Sequence, residues 1–224
     1  MTNSVSSSRS ISTQKIVVAA MLCAISFVAT LIGQLVPPVA GFLSYDPKDA
    51  VVAIAGFIYG PVVAVMITVV ESLVEMLTMS STGIYGFIMN VLSTCAFVLP
   101  ASLLYKKVHN MKGAVAGLLL GMAAMTGCML LWNYIITPFY MGMPRSAVAE
   151  MLVPVFLPFN LIKSGINTGL TLVLYKPLVT ALRKANLLPK DETHKASFHL
   201  GFAIFSVIML LGFVLLFLVF TGVL

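Results

Sequence analysis

The stretch Pro158-Phe159-Asn160-Leu161-Ile162-Lys163-Ser164-Gly165-Ile166-Asn167 carries polar side chains inside an apolar run that continues to Tyr175. A run of this length predicts a helix within a lipid bilayer. On that helix Asn160, Lys163 and Asn167 fall at positions i, i+3 and i+7, so they share one face. An ammonium group in hydrocarbon is costly by a few kcal/mol. The three side chains therefore predict a polar cavity or a polar ligand beside this helix.

The composition places the chain among polytopic membrane proteins. It has 224 residues, of which 60% are hydrophobic and 9% charged, and its mean hydropathy is +1.06. These values lie outside the range of soluble domains. Since a spanning helix needs about 20 apolar residues, six or seven spans use most of the chain. We predict an all-α integral membrane protein with no sizeable soluble domain, so an NTP-binding module would have to belong to another polypeptide.

The basic residues indicate the orientation of the chain in the membrane. The formal net charge of +6 does not point to nucleic acid, because most lysines and arginines lie in short loops between apolar runs. With the N-terminus inside, ten of the 13 share the inner side: Arg9, Lys15, Lys106, Lys107, Lys112, Lys176, Arg183, Lys184, Lys190 and Lys195. Lys48 and Arg145 fall in outer loops, and Lys163 is intramembrane. This bias predicts a multi-pass protein of the cytoplasmic membrane with its N-terminus in the cytoplasm.

The apolar pattern divides the chain into four parts. Residues 1–14 are predicted to form a disordered cytoplasmic tail, 15–184 a six-helix membrane domain, 185–197 a basic linker, and 198–224 an additional C-terminal transmembrane helix. The six spans are predicted at 16–36, 50–59, 62–79, 84–105, 113–131 and 155–182, with a loop before the sixth. Asp46, followed by Pro47 and Asp49, is predicted to cap the short second span.

Polar residues of several predicted spans lie at a similar depth in the outer half of the bilayer. At about 1.5 Å per residue, Asn160 and Lys163 lie roughly 8–12 Å below the outer boundary, and Asn90 lies about 9 Å below it. Asn133 falls at the outer end of the fifth span, and residues 44–46 precede the second. We therefore predict a pocket that opens outward above a closed floor.

Each of these polar residues also has a structural interpretation. Amides such as Asn160 form hydrogen bonds between packed helices, and the buried Lys163 could pair with Glu71 or Glu75 on the third span. A proton relay through the same three ionisable groups is a further alternative. Tyr45 and Asp46 would serve first as a helix cap, with contact to a ligand as a second role.

Small residues recur at four-residue spacing, which allows helices to approach closely. They form three sets: Ala20 with Ala24, then Gly113, Gly117 and Gly121, then Gly165 with Gly169. Most of these should be internal packing, and one set could dock a second membrane protein.

Motifs for catalysis do not occur in the sequence. It contains no HExxH, GxSxG or Walker A pattern, and the dispersed Cys23, Cys95 and Cys128 predict neither disulfides nor a metal site. We predict a protein that is not an enzyme and has no cofactor.

Five segments resemble the riboflavin-specific substrate-binding (S) components of energy-coupling factor (ECF) transporters, the RibU family. They match in order between about residues 15 and 183: Tyr45-Asp46-Pro47-Lys48-Asp49, Gly56-Phe57-Ile58-Tyr59-Gly60-Pro61, Gly86-x-x-x-Asn90, Asn133-Tyr134 followed by Pro138-x-Tyr140-x-Gly142, and Pro158-Phe159-Asn160-x-x-Lys163.

This resemblance implies a six-helix protein of the bacterial cytoplasmic membrane that binds riboflavin from outside, with FMN as a further candidate ligand. It implies three partners: a membrane coupling subunit of the EcfT type and two cytoplasmic ATPases of the EcfA type. Asn133, Asn160 and Lys163 would bind the polar edge of the flavin ring. Ser44, Tyr45, Asp46, Gly86 and Asn90 would help enclose it, and Ala20 and Ala24 would contact the coupling subunit.

Two alternatives stay open at the level of sequence. The chain could be an S component for another small vitamin, since amides and a lysine suit other heteroaromatic ligands. It could also be a stand-alone secondary carrier coupled to protons through Glu71 and Glu75, although inverted repeats typical of such carriers are not apparent. The segment 198–224 departs from the family, which ordinarily has six spans.

Overall fold

The computed structural model describes residues 13–80, 82–188 and 200–224, and the regular elements of these residues are helices. They are α1 (Thr13–Gly33), α2 (Lys48–Tyr59), α3 (Pro61–Thr78), α4 (Gly83–Val108), α5 (Met111–Met141), α6 (Arg145–Met151), α7 (Leu157–Lys184) and α8 (Leu200–Phe220), with a π-helical turn (Leu152–Phe156) before α7. Within these ranges six helical segments are long and apolar enough to cross a membrane. The predicted all-α membrane fold is confirmed.

The short helix α2 is the centre of the bundle. Its 12 residues extend about 18 Å, which is less than the hydrocarbon core of roughly 30 Å. Gly60, with a φ of 90°, and Pro61 separate it from α3. Residues 52–55 are completely buried, and α2 packs against α1, α3, α4 and α7. The apolar run of α2 therefore reflects protein packing on all sides, with little surface left for lipid.

The predicted loop before the sixth span is wrong, because it contains α6 and the π-helical turn. Pro144 is extended and precedes the first residue of α6. The wide turn contains Pro154, which lacks a backbone N–H and cannot complete an ordinary helical hydrogen bond. Val148 of α6 and Phe156 of the turn are fully buried. This segment thus packs as part of the protein core at the outer end of α7.

Glycines bring α4 and α5 into direct backbone contact. A Cβ atom at Gly117 would lie 2.7 Å from the carbonyl oxygen of Ala101, and one at Gly121 would lie 2.2 Å from that of Phe97. No side chain fits at either position without separating the helices. This small-residue set is internal packing.

Aromatic residues close the inner end of the bundle. The hydroxyl groups of Tyr105 on α4 and Tyr175 on α7 lie 3.0 Å apart. The ring of Phe57 packs against both, with centroid distances of 4.5 and 5.9 Å. These three side chains join α2, α4 and α7 below the polar region of the molecule.

The additional C-terminal helix is present as α8, which packs along α7. Of the predicted tail and basic linker, residues 1–12 and 189–197 lie outside the described part of the chain. The division into four parts stays a prediction.

Candidate ligand-binding site

One cavity of about 220 Å³ lies between five helices, α1, α3, α4, α5 and α7, and two connecting segments. These are the turn between α3 and α4 and the segment 34–47 that joins α1 to α2, here named the entrance loop. All eight residues predicted to bind a ligand line it: Ser44, Tyr45, Asp46, Gly86, Asn90, Asn133, Asn160 and Lys163. They come from four elements that are far apart in the sequence. Helical spacing and shared depth group seven of them, and the family resemblance adds Gly86.

Lys163 supplies a positive charge to the wall of this cavity. Its side chain is largely buried, and within the described residues its ammonium group has neither a hydrogen bond nor an ion pair within 4.0 Å. The suggested pairing of Lys163 with Glu71 or Glu75 is therefore wrong. The three donors of this ammonium group are available to a molecule in the cavity.

Glu71 and Glu75 instead pair with Lys48. The Nζ atom of Lys48 lies 2.9 Å from Asp46 Oδ2 and 3.2 Å from Glu71 Oε2, and it also contacts Glu75. Thr30 of α1 donates a hydrogen bond of 2.9 Å to Glu71 Oε1. The sequence placed Lys48 in an outer loop, but it is the first residue of α2 and only 1% exposed. The facing pair of acids at i and i+4 was the signal that a buried cation had to lie nearby.

The predicted cap at Asp46 is wrong in detail. The first turn of α2 follows Pro47, and no side chain caps that position. The Asp46 carboxylate instead accepts the backbone N–H of Lys48 at 3.2 Å, besides its ion pair. Burial raises the pKa of the Asp46 carboxyl group, but the nearby ammonium groups of Lys48 and Lys163 hold it below its ordinary value.

Asn167 does not line the cavity but fixes the base of the entrance loop. Its Nδ2 atom donates to the backbone oxygen of Asp46 at 3.0 Å and to Asp49 Oδ2 at 3.2 Å. Thr94 of α4 donates to Asp49 Oδ1 at 2.6 Å. The side chain of Asn167 is completely buried, so of the three polar residues predicted to face a cavity it is the one that packs between helices. The sequence did not reveal that it joins α2 and α7.

The two cavity amides are oriented by their own helices. Asn133 Nδ2 donates to the Met129 oxygen at 2.7 Å, and Asn160 Nδ2 donates to the Phe156 oxygen at 2.8 Å. Both amides are buried. Among the described residues no donor bonds Asn160 Oδ1. Asn160 thus offers a carbonyl acceptor one helical turn from the donors of Lys163.

Several lining residues were not singled out from the sequence. They add apolar and hydroxyl or amide groups to the wall: Thr30, Gln34, Phe42, Met89, Ser93, Met129, Tyr140 and Phe159. Helical spacing could have identified part of this set, because Met89 and Ser93 fall three and seven residues after Gly86. Flat apolar surfaces and a few polar groups are typical of sites for small organic ligands.

Ala20 and Ala24 do not line the cavity. Both are exposed on α1, with their side chains on the outside of the bundle. The structure therefore separates the predicted partner-binding pair from the eight cavity residues.

Comparison with known proteins identifies the family. The profile of the family described as "ECF transporter, substrate-specific component" matches residues 14–175. The chain is 32% identical over 186 residues to the riboflavin transporter FmnP of Bacillus subtilis (strain 168), with 78% of this chain and 98% of that protein covered. It is 28% identical over 177 residues to the riboflavin transporter RibU of Staphylococcus aureus (strain TCH60), with coverage of 76% and 93%.

A solved structure has the same fold. It is described as the S component of a bacterial ECF transporter, and it aligns with a TM-score of 0.65 at 28% identity. The alignment covers 76% of this chain and 98% of the solved one. Since both the family profile and this structure match most of the chain, it belongs to the substrate-specific components of ECF transporters.

Proposed function

We propose that this protein captures riboflavin from outside the cell as the substrate-binding subunit of an ECF importer. The observation that carries the proposal is the cavity. Among the described residues, the donors of Lys163 have no protein partner there, and Asn160 presents an unbonded acceptor one turn away. The relatives named riboflavin transporters support the choice of ligand.

The chemistry of the cavity suits a flavin. The pyrimidine edge of the isoalloxazine ring alternates carbonyl oxygens and ring nitrogens, and it needs both donors and acceptors. We assign this edge to Asn133, Asn160 and Lys163. The apolar side chains of Met89 and Phe159 would then cover the ring, as is usual in sites for flat ligands.

For energy coupling, we propose that the protein associates with a membrane coupling subunit of the EcfT type and two ATPases of the EcfA type. The three small-residue sets of the sequence support a docking face on α1. Helix α4 packs against Gly117 and Gly121, and helix α8 packs against Gly165 and Gly169. Ala20 and Ala24 remain on the surface, where two small side chains would allow a partner helix to approach closely.

Ligand binding is tested by titrating purified, flavin-free protein with riboflavin and following the quenching of flavin fluorescence. We expect saturable quenching at micromolar ligand or below. Lys163→Ala and Asn160→Ala should each weaken the Kd by about 10- to 100-fold, which corresponds to a hydrogen bond lost from a desolvated site. The same titration with FMN tests whether the cavity admits a phosphate.

A suitable control is Lys107→Ala, because Lys107 is an exposed lysine in the last turn of α4. It should bind riboflavin like the unaltered protein. Absence of quenching in the unaltered protein would contradict the ligand assignment. Unchanged affinity in both the Lys163 and Asn160 variants would move the site elsewhere.

A further inference from the structure

The C-terminal helix α8 is not accounted for by the family. The family profile ends at residue 175, and about a fifth of this chain lies outside the match to the B. subtilis relative. Yet α8 is seated on α7 by close contacts. A Cβ atom at Gly165 would lie 2.4 Å from the ring of Phe213, and one at Gly169 would lie 2.9 Å from Leu210 Cβ. The glycine pair on α7 therefore forms the seat of α8.

The end of α8 reaches the entrance loop. Phe217 is only 8% exposed although it belongs to a peripheral helix. Its ring centroid lies 5.9 Å from that of Tyr45, at an interplanar angle of 53°. It belongs to the same buried apolar cluster as Val39 and Leu43 of the loop. The last turns of α8 thus cover the side of the loop that faces away from the cavity.

Tyr45 connects this contact to the site. Tyr45 lines the cavity, and its hydroxyl donates a hydrogen bond of 3.1 Å to Asn167 Oδ1 on α7. Its ring is thereby held between α7 and Phe217. The neighbouring Leu43 lines the cavity as well and shares the apolar cluster.

The entrance loop is also the wall that can yield. The cavity of about 220 Å³ is smaller than most small-molecule sites, which occupy roughly 300–1,000 Å³. Its other walls are packed helices and the turn between α3 and α4, from which Met79, Ser80 and Thr82 line the cavity. The entrance loop is held internally by one tight turn. In that turn Val39 and Leu43 exchange backbone hydrogen bonds around Ala40 and Gly41, both with positive φ. We therefore expect this loop to shift when a ligand enters or leaves.

From these contacts we infer that α8 is a brace for the entrance loop, and that Phe217 is a positioning residue that slows ligand release by holding Tyr45 against the cavity. This role rests on the proposed function only for the identity of the ligand. The brace itself is a property of the ligand-free protein and can be measured without riboflavin.

The test compares Phe217→Ala with Leu216→Ala, its neighbour on α8, whose side chain is 54% exposed. Hydrogen–deuterium exchange is measured in detergent for peptides of residues 39–47 without ligand. Riboflavin dissociation is measured by stopped-flow fluorescence for the same proteins. Phe217→Ala should speed loop exchange and should raise the dissociation rate by about three- to tenfold, as expected for loss of one aromatic pair.

Further variants separate positioning from general stability. Phe217→Tyr keeps the aromatic ring, so its rates of loop exchange and riboflavin dissociation should match those of the unaltered protein. Leu216→Ala should change neither rate. Should the alanine variant fold poorly, Phe217→Leu removes the ring while keeping apolar volume. Equal loop exchange and equal dissociation rates in folded Phe217 variants and the unaltered protein would overturn the brace. If the unaltered protein binds no riboflavin, the proposed function fails, and the exchange data alone decide the brace.

Discussion

At the scale of single residues, Lys48 has the largest structural role among the charged groups. It is completely enclosed and meets three carboxylates, two of which belong to α3. Lys163, by contrast, faces the cavity. The two buried lysines thus divide their functions: one neutralises the protein's own acids, and the other is available to a ligand.

Replacement of Lys48 by Met should strongly destabilise the protein. It removes the ion-pair partner of the buried Asp46 and Glu71 and of the partly buried Glu75, and removal of one partner of a buried ion pair costs about 3–5 kcal/mol. We expect a lower midpoint of thermal unfolding in detergent. The double variant Lys48→Met, Glu71→Gln should recover part of the loss, because it removes one of the stranded carboxylates. An unaltered midpoint in the single variant would show that the ion-pair cluster contributes little.

The sequence could predict which residues line the cavity but not which charges pair. Helical spacing groups Asn160 with Lys163, and depth adds Asn90 and Asn133. Pairing depends on where a helix begins within a few residues. Because α2 starts at Lys48, two residues before the predicted span, this side chain points into the bundle and displaces Lys163 as the partner of Glu71.

At the scale of helices, the contact of α4 with α5 depends on glycine. Gly121→Leu should separate the two helices, since even a Cβ atom would lie 2.2 Å from a backbone oxygen of α4. We expect a reduced yield of monodisperse protein and a lower unfolding midpoint. Gly127→Leu is a matched control on the same helix, because a Cβ atom there has no neighbour within 4 Å. Similar behaviour of the two variants would contradict a backbone-to-backbone contact.

Helices with lipid on one side were easier to predict than those surrounded by protein. α4 and α5 have the long apolar runs of membrane spans. α2 is apolar because it is packed on all sides, so its composition resembles a span although it is too short to be one. The helix α6 has seven residues, and a helix of that length carries too little periodic signal to distinguish it from a loop.

At the scale of the whole molecule, the cavity and the exposed alanines of α1 lie on different surfaces. Ala24→Leu should therefore leave riboflavin affinity unchanged and reduce uptake into cells or proteoliposomes that contain the coupling subunit and ATPases. The reason is steric, since a larger side chain keeps a partner helix at a distance. Gly127→Leu, which places the same leucine side chain at another exposed position, should not reduce uptake. Normal uptake by Ala24→Leu would exclude this face of α1 from docking, and uptake that persists without the ATPases would contradict coupling to them.

The all-α membrane architecture was predictable because hydrophobic length indicates which segments can span a bilayer, whereas the direction of the spans stays a prediction from the lysines and arginines. The contact of α8 with the entrance loop was not predictable from the sequence, since a uniformly apolar helix has no periodic pattern to show which face is covered. The glycines of α7 indicated a close neighbour without identifying it.

The ion-pair cluster around Lys48 has a consequence for how the chain is inserted during synthesis. Its positive group arrives on α2, and two of its three negative groups arrive later on α3, after the break at Gly60. Neither helix alone can enter hydrocarbon without an unpaired charge, so the pair should leave the translocation machinery together as one hairpin. Asp49 can accept its hydrogen bonds from Thr94 and Asn167 only after these later residues have been synthesised and inserted. The centre of the bundle is therefore complete only once α7 is in the membrane.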